Sequence, residues 1–152
     1  MAPVLSDPEV RIVVDTSVLF AGLSSKRGAS HVVLRACLTG GLEPIVTVPL
    51  AAEYEDVLGR PELRRKSGLS AKDLDEFLDG FLAAAQLVEV FFLWRPNLRD
   101  EGDNMVLEAA VAGRAEAIVT HNVRDLASGS LRFDAIHIVT PAALLAMEGW
   151  SR

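Results

Sequence analysis

Five acidic positions in this sequence stand out for where they fall. Asp15 closes the β-branched run Arg11-Ile12-Val13-Val14, and in an open parallel α/β sheet ligands gather beyond the carboxyl ends of the strands. An acid there either caps the following turn or belongs to a site. Glu53 lies on the segment from Leu50 to Leu58, where Leu50, Tyr54, Val57 and Leu58 recur at helical spacing. At about 100° per residue, Glu53 sits roughly 80° from the centre of that apolar face, whereas Glu55 and Asp56 lie well past it. Asp103 falls near the centre of the face carrying Val106, Leu107, Ala110 and Val111, with Glu108 turned outward. A first-turn carboxylate is also favoured by the helix dipole alone. Asp100, in the polar stretch before that helix, reads equally as a site acid or a solvated one. After the run Ala117-Ile118-Val119 comes Thr120-His121-Asn122-Val123-Arg124-Asp125. It offers Thr120, Asn122 and Asp125 as oxygen donors without choosing among them.

Gathering three carboxylates within about 5 Å costs roughly 3 kcal/mol per pair at an effective dielectric near 20, so such a cluster needs protons or cations. With oxygen donors and no Cys or His ligand pattern, the ion expected is Mg²⁺ or Mn²⁺ rather than zinc, and such ions activate water for phosphodiester cleavage. The balance of 15 Lys+Arg against 21 Asp+Glu gives a net charge of −6, the wrong sign for holding nucleic acid by phosphate neutralisation alone. A bound cation would reconcile the two.

The elements that must position these acids alternate. Five short apolar runs read as strands: Arg11 to Asp15, Pro44 to Val48, Leu87 to Phe92, Ala117 to Thr120 and Ala135 to Val139. Between them, Ala29, Val32, Val33, Ala36 and Cys37 share a helical face, as do Leu74, Phe77, Leu78, Phe81 and Leu82 behind the capping box Ser70-Ala71-Lys72-Asp73. Thr140-Pro141 opens a last helix. The expectation is a three-layer α/β/α domain with a mostly parallel sheet of about five strands, spanning 1–152 with a core from about 11 to 147. One cysteine, Cys37, excludes an internal disulfide and a thiolate zinc site. The beginning of the sequence carries no basic-plus-apolar leader and no apolar run long enough to span a bilayer, so a cytoplasmic protein with no membrane association is expected.

Four motifs occur in order: Val13-Val14-Asp15-Thr16-Ser17-Val18-Leu19; Ala52-Glu53-Tyr54-Glu55-Asp56-Val57-Leu58 with Arg60-Pro61; Arg99-Asp100-Glu101-Gly102-Asp103-Asn104; and Val119-Thr120-His121-Asn122-Val123-Arg124-Asp125-Leu126. With them the chain resembles the PIN-domain ribonucleases, in particular the VapC-like toxins of toxin–antitoxin pairs, over about Arg11 to Met147. The resemblance implies a Mg²⁺- or Mn²⁺-dependent endoribonuclease whose catalytic, metal-holding acids are Asp15, Glu53 and Asp103. It implies that Ser17 and Thr120 hydrogen-bond within the site. It also implies a small antitoxin partner and a homodimer. The family often has a fourth acid where this chain has Asn122, so Asn122 or Asp125 would complete the metal set. Lys26 and Arg27, with Arg64-Arg65-Lys66, are the cations best suited to hold RNA phosphates. Cys37, Tyr54, His31 and His137 read as structural, Trp94 and Trp150 as packing, and His121 as a neighbour of substrate. Two alternatives differ in class. A haloacid-dehalogenase phosphatase requires an acid where Ser17 stands, and a catalytically silent RNA- or protein-binding module is the reading that Asn122 invites.

Overall fold

The computed structural model describes residues 10–90, 101–127 and 135–147. Along the chain run β1 (Arg11–Val14), α1 (Thr16–Ser24), α2 (Ala29–Thr39), β2 (Glu43–Val46), α3 (Val48–Leu58), α4 (Pro61–Ser67), α5 (Ala71–Ala84), β3 (Gln86–Leu87), α6 (Glu101–Ala112), β4 (Ala117–Val119), α7 (Val123–Ala127), β5 (His137–Val139) and α8 (Pro141–Ala146). The sheet has five strands in the order β3-β2-β1-β4-β5. Every pairing is parallel, with Ile12 opposite both Pro44 and Ala117, and Val14 opposite Val119. This is a three-layer α/β/α arrangement.

The central strands are buried on both faces, since Ile12, Val13, Val14, Ala117, Ile118 and Val119 are all fully inaccessible. Consecutive burial of this kind requires helices above and below the sheet and explains the unbroken apolar runs in the sequence. At the rim, Gln86 and Leu87 of β3 are exposed, and no helix among the described residues is long and apolar enough to cross a membrane.

The chain leaves β1 toward β2 on one side and later crosses to β4 on the other. The carboxyl ends of β1 and β4 therefore flank the topological switch point, the crevice where open α/β sheets take their ligands. Helix α6 packs across β1, β2 and β4 and against α3, and it leads into β4 at the sheet's amino edge. Its first turn consequently lies toward the carboxyl edge.

Local chemistry sets the helix starts. Thr47 caps α3 through its hydroxyl, which accepts from the Leu50 amide at 3.2 Å, and Pro49 sits in the first turn. The strand expected to reach Val48 thus ends at Val46, because the cap and proline begin the helix earlier than its apolar periodicity suggests. The box at Ser70 and Asp73 forms in both directions, and Thr140 caps α8 ahead of Pro141. Three elements were not visible as periodic segments. In α1, Thr-Ser-Val-Leu-Phe-Ala-Gly-Leu-Ser has almost no polar face, while α4 and α7 are too short to show a period.

Gly22 is needed for the first helix pair. A Cβ there would lie 2.5 Å from Cδ1 of Leu34 and 3.1 Å from the Ser30 carbonyl carbon, so its absence lets α1 and α2 approach closely.

Candidate active site

Asp15 stands at the N-cap position of α1, yet its side chain makes no capping bond. Its backbone amide donates to the Val119 carbonyl at 2.9 Å, joining the ends of β1 and β4. The carboxylate is only 4% exposed. Its Oδ2 accepts from the Ser17 hydroxyl at 2.6 Å and from the Thr120 hydroxyl at 2.7 Å, distances in the charge-assisted range. Those hydroxyls are themselves oriented. The His121 amide donates to Ser17 Oγ at 3.1 Å and the Asn122 amide to Thr120 Oγ1 at 2.9 Å. With an amide proton arriving at each hydroxyl oxygen, both hydroxyl protons are directed at one carboxylate oxygen. No Lys, Arg or His among the described residues pairs with Asp15.

An acid removed from water loses several kcal/mol of solvation. Two hydroxyls and the positive end of α1 offset part of that cost. With no capping bond from its side chain, the Asp15 carboxylate is buried at the switch point and held there by two hydroxyls. Its donor chemistry, carboxylate and hydroxyl oxygens alone, suits a hard divalent cation.

The other acids are distributed as follows. Glu53 is half-buried on α3, whereas Glu55 and Asp56 are exposed and Asp56 pairs with Arg60 at 3.1 Å. Asp103 is half-buried in the first turn of α6. Glu108, placed outward by the helical wheel, is half-buried as well. Asn122 and Asp125 are exposed, with Asp125 in the first turn of α7. Asp100 lies outside the described residues, as do Trp94 and Trp150. Among the described residues, no group of three or more His, Cys, Asp and Glu side chains is gathered in a way that could hold a metal ion.

Around this centre, His121 Nε2 is hydrogen-bonded to the buried Ser30 Oγ at 2.7 Å, which ties the start of α2 to the loop after β4. Lys26 and Arg27 are exposed in the short connection just before Ser30. In α4, Lys66 lies 5.6 Å above the Phe20 ring of α1, and Arg64 donates to the Gly59 carbonyl at 3.3 Å.

Tyr54 is a core residue, as its helical spacing predicts, and it also carries a buried hydrogen bond. It is fully buried, packs edge-on against Phe81 with ring centroids 5.7 Å apart, and donates its hydroxyl proton to the Val14 carbonyl. Burial, reinforced by the negative charge of Asp15, holds its phenol well above the ordinary tyrosine range, so it remains a donor. Burial likewise pushes the Cys37 thiol up to about 12. Two buried polar residues near the site were not singled out from the sequence, Ser30 and Asn104, the latter only 6% exposed beside Asp103. The available signal was a polar group on an apolar helical face. Its partners were not legible.

An all-parallel sheet with a buried acid at its switch point defines an α/β protein with an acidic site at the carboxyl edge. The family model described as PIN domain matches residues 11–124, and the chain belongs to that family. The match ends before β5 and α8, which nonetheless join the same sheet and core through the β4–β5 pairing and buried Leu144. PIN domains are generally nucleases that act on RNA with divalent metal ions. No curated protein matches the sequence.

Proposed function

We propose that this protein is a metal-dependent endoribonuclease in which Asp15, Glu53 and Asp103 hold Mg²⁺ or Mn²⁺. The observation carrying the reading is the buried Asp15 carboxylate at the switch point, bonded by two hydroxyls on one oxygen and paired with no described cation. Ser17 and Thr120 hold that carboxylate in one orientation. Glu53 and Asp103 are carried by α3 and α6, helices packed on each other. Asn122 or Asp125 completes the oxygen set, and Asp100 is a further candidate for the site. When bound, the ion supplies an activated water for attack on a phosphodiester and charge stabilisation for the leaving oxygen. Lys26 and Arg27 bind RNA phosphates beside the His121 loop. The products are a 5′-phosphate and a 3′-hydroxyl.

The test is cleavage of RNA with Mg²⁺, with Mn²⁺ and with a chelator, for the native chain and for Asp15→Asn. Cleavage that needs the ion and Asp15 supports the reading, and cleavage by both proteins in chelator defeats it. A second reading, a catalytically silent module that binds RNA or protein, is favoured by Asn122 standing where a fourth acid is common. RNA binding without ion-dependent cleavage would select it.

The biological role we propose is that of a toxin in a cytoplasmic toxin–antitoxin pair, acting as a homodimer and silenced by a small antitoxin. A net charge of −6 with a buried acid in the cleft suits a basic antitoxin segment, whose guanidinium would engage a carboxylate in bidentate fashion. Expression alone should slow growth, and co-expression with the product of the adjacent gene should relieve it. No growth effect and no bound neighbour would remove the toxin role and leave the nuclease intact.

A further inference from the structure

We infer that Tyr54 is a positioning residue that sets the spacing between Asp15 and Glu53, acting through the Val14 carbonyl. The inference rests on the metal-centre reading above. The sheet is interrupted beside Asp15. The β1–β2 register runs from Arg11 opposite Glu43 to Ile12 opposite Pro44 and goes no further. Because the Asp15 amide is committed to Val119 of β4, backbone alternation turns the Val14 carbonyl the other way, toward β2, where the ladder has ended. The Tyr54 hydroxyl takes the place of the missing strand partner.

Position in the chain makes this bond consequential. Val14 precedes Asp15 on β1, and Tyr54 follows Glu53 on α3, so a single hydrogen bond joins the immediate neighbours of two carboxylates 38 residues apart. Neither partner of that bond can drift, because the Tyr54 ring is fully buried and held at 84° against Phe81. A metal–oxygen bond of about 2.0–2.6 Å tolerates little slack, and groups that orient ligands from behind typically govern metal affinity by about 10- to 100-fold. A tyrosine serving the core alone would need some acceptor. Nothing would require that acceptor to be the residue before Asp15.

The experiment begins with calorimetric titration of the full chain with Mn²⁺ and compares Tyr54→Phe, which keeps the ring and its contact with Phe81. The expected result is a Kd for Mn²⁺ raised by at least about tenfold, with kcat for RNA reduced and KM unchanged. Tyr54 is the sole tyrosine of the chain, so growth on 3-fluorotyrosine gives one ¹⁹F resonance in the otherwise native protein. That resonance should shift when Mg²⁺ is added, and the shift should vanish in Asp15→Asn. The shift in the native chain does not depend on Tyr54→Phe folding. Native-like Mn²⁺ affinity in folded Tyr54→Phe, or a ¹⁹F signal indifferent to Mg²⁺ that calorimetry shows to be bound, overturns the positioning role and leaves the metal centre standing. If the native chain binds neither ion, both fall together.

Discussion

The carboxylate of Asp15 and the hydroxyl of Thr120 lie 105 positions apart in the chain and 2.7 Å apart in space. This bond closes the crevice between β1 and β4 at its floor, and Thr120 is fully buried in making it. Thr120→Val keeps the shape and removes the donor, leaving Asp15 with Ser17 alone. We expect a loss of about 1–3 kcal/mol of stability, the usual cost of stripping a buried polar group of its partner. Thr120→Ser should recover most of it. Urea unfolding of the three proteins measures both, and equal midpoints would mean that the bond contributes nothing to the fold.

Asp15→Asn separates the chemical role of this carboxylate from its structural one. The amide oxygen still accepts from Ser17 and Thr120, so a cooperative unfolding transition within a few degrees of native is expected. Ion-dependent RNA cleavage should fall by roughly a thousandfold, the scale seen when a group stabilising charge at a reacting centre is removed. Thermal unfolding and a cleavage time course check the two halves. Full activity in the variant would remove Asp15 from the site.

The residues read most fully from sequence are those whose environment is local. Asp15 at a strand end, Glu53 turned partly inward and the capping box at Ser70 each depend on neighbours within one turn or one strand. What was not legible depends on distant parts of the chain. Nothing around Tyr54 reveals that β2 stops pairing with β1 short of Val14, and nothing around Ser30 reveals His121 across 91 positions. Helix α1 escaped because burial on most sides erases the polar face on which periodicity depends. The fold class survives such omissions, since alternating apolar runs and helical stripes already require a covered parallel sheet.

Gly22 supplies a test of the α1–α2 contact. In Gly22→Ala the new methyl meets the flexible end of Leu34 and also the backbone carbon of Ser30 at 3.1 Å, which yields less readily. Overpacking of this kind costs about 1–3 kcal/mol, and pushing Ser30 should loosen its bond to His121. A lower urea midpoint with faster proteolysis is expected. Unchanged stability would show that Leu34 relaxes freely.

Cys37 predicts an alkaline weakness. Its thiol rises from 9.0 to about 12 because burial disfavours the thiolate. A group whose folded pKa is raised contributes stability in full below its unfolded pKa and loses it as pH climbs toward the folded one. Stability should therefore decline from about pH 9 upward, less steeply in Cys37→Ala, once the cavity cost common to all pH values is subtracted. Denaturant titrations from pH 8 to pH 10.5 compare the slopes. The same burial should leave the native thiol unreactive to iodoacetamide until the chain unfolds.

Asn122 is where the proposed ligand set can be strengthened. Its amide already donates to Thr120 Oγ1 at 2.9 Å, so the backbone is tied to the Asp15 network while the exposed side chain is free to be exchanged without disturbing the core. Asn122→Asp adds a negative charge near the crevice. In the absence of metal that charge repels Asp15 and should lower the unfolding midpoint, whereas with Mg²⁺ or Mn²⁺ the opposite holds, because binding to the folded state alone adds its free energy to stability. The variant should thus gain more from added ion than the native chain does, with a tighter Kd by calorimetry and a larger ion-induced rise in Tm. Identical affinities would place Asn122 outside the ligand set and leave that position to Asp125 or to water.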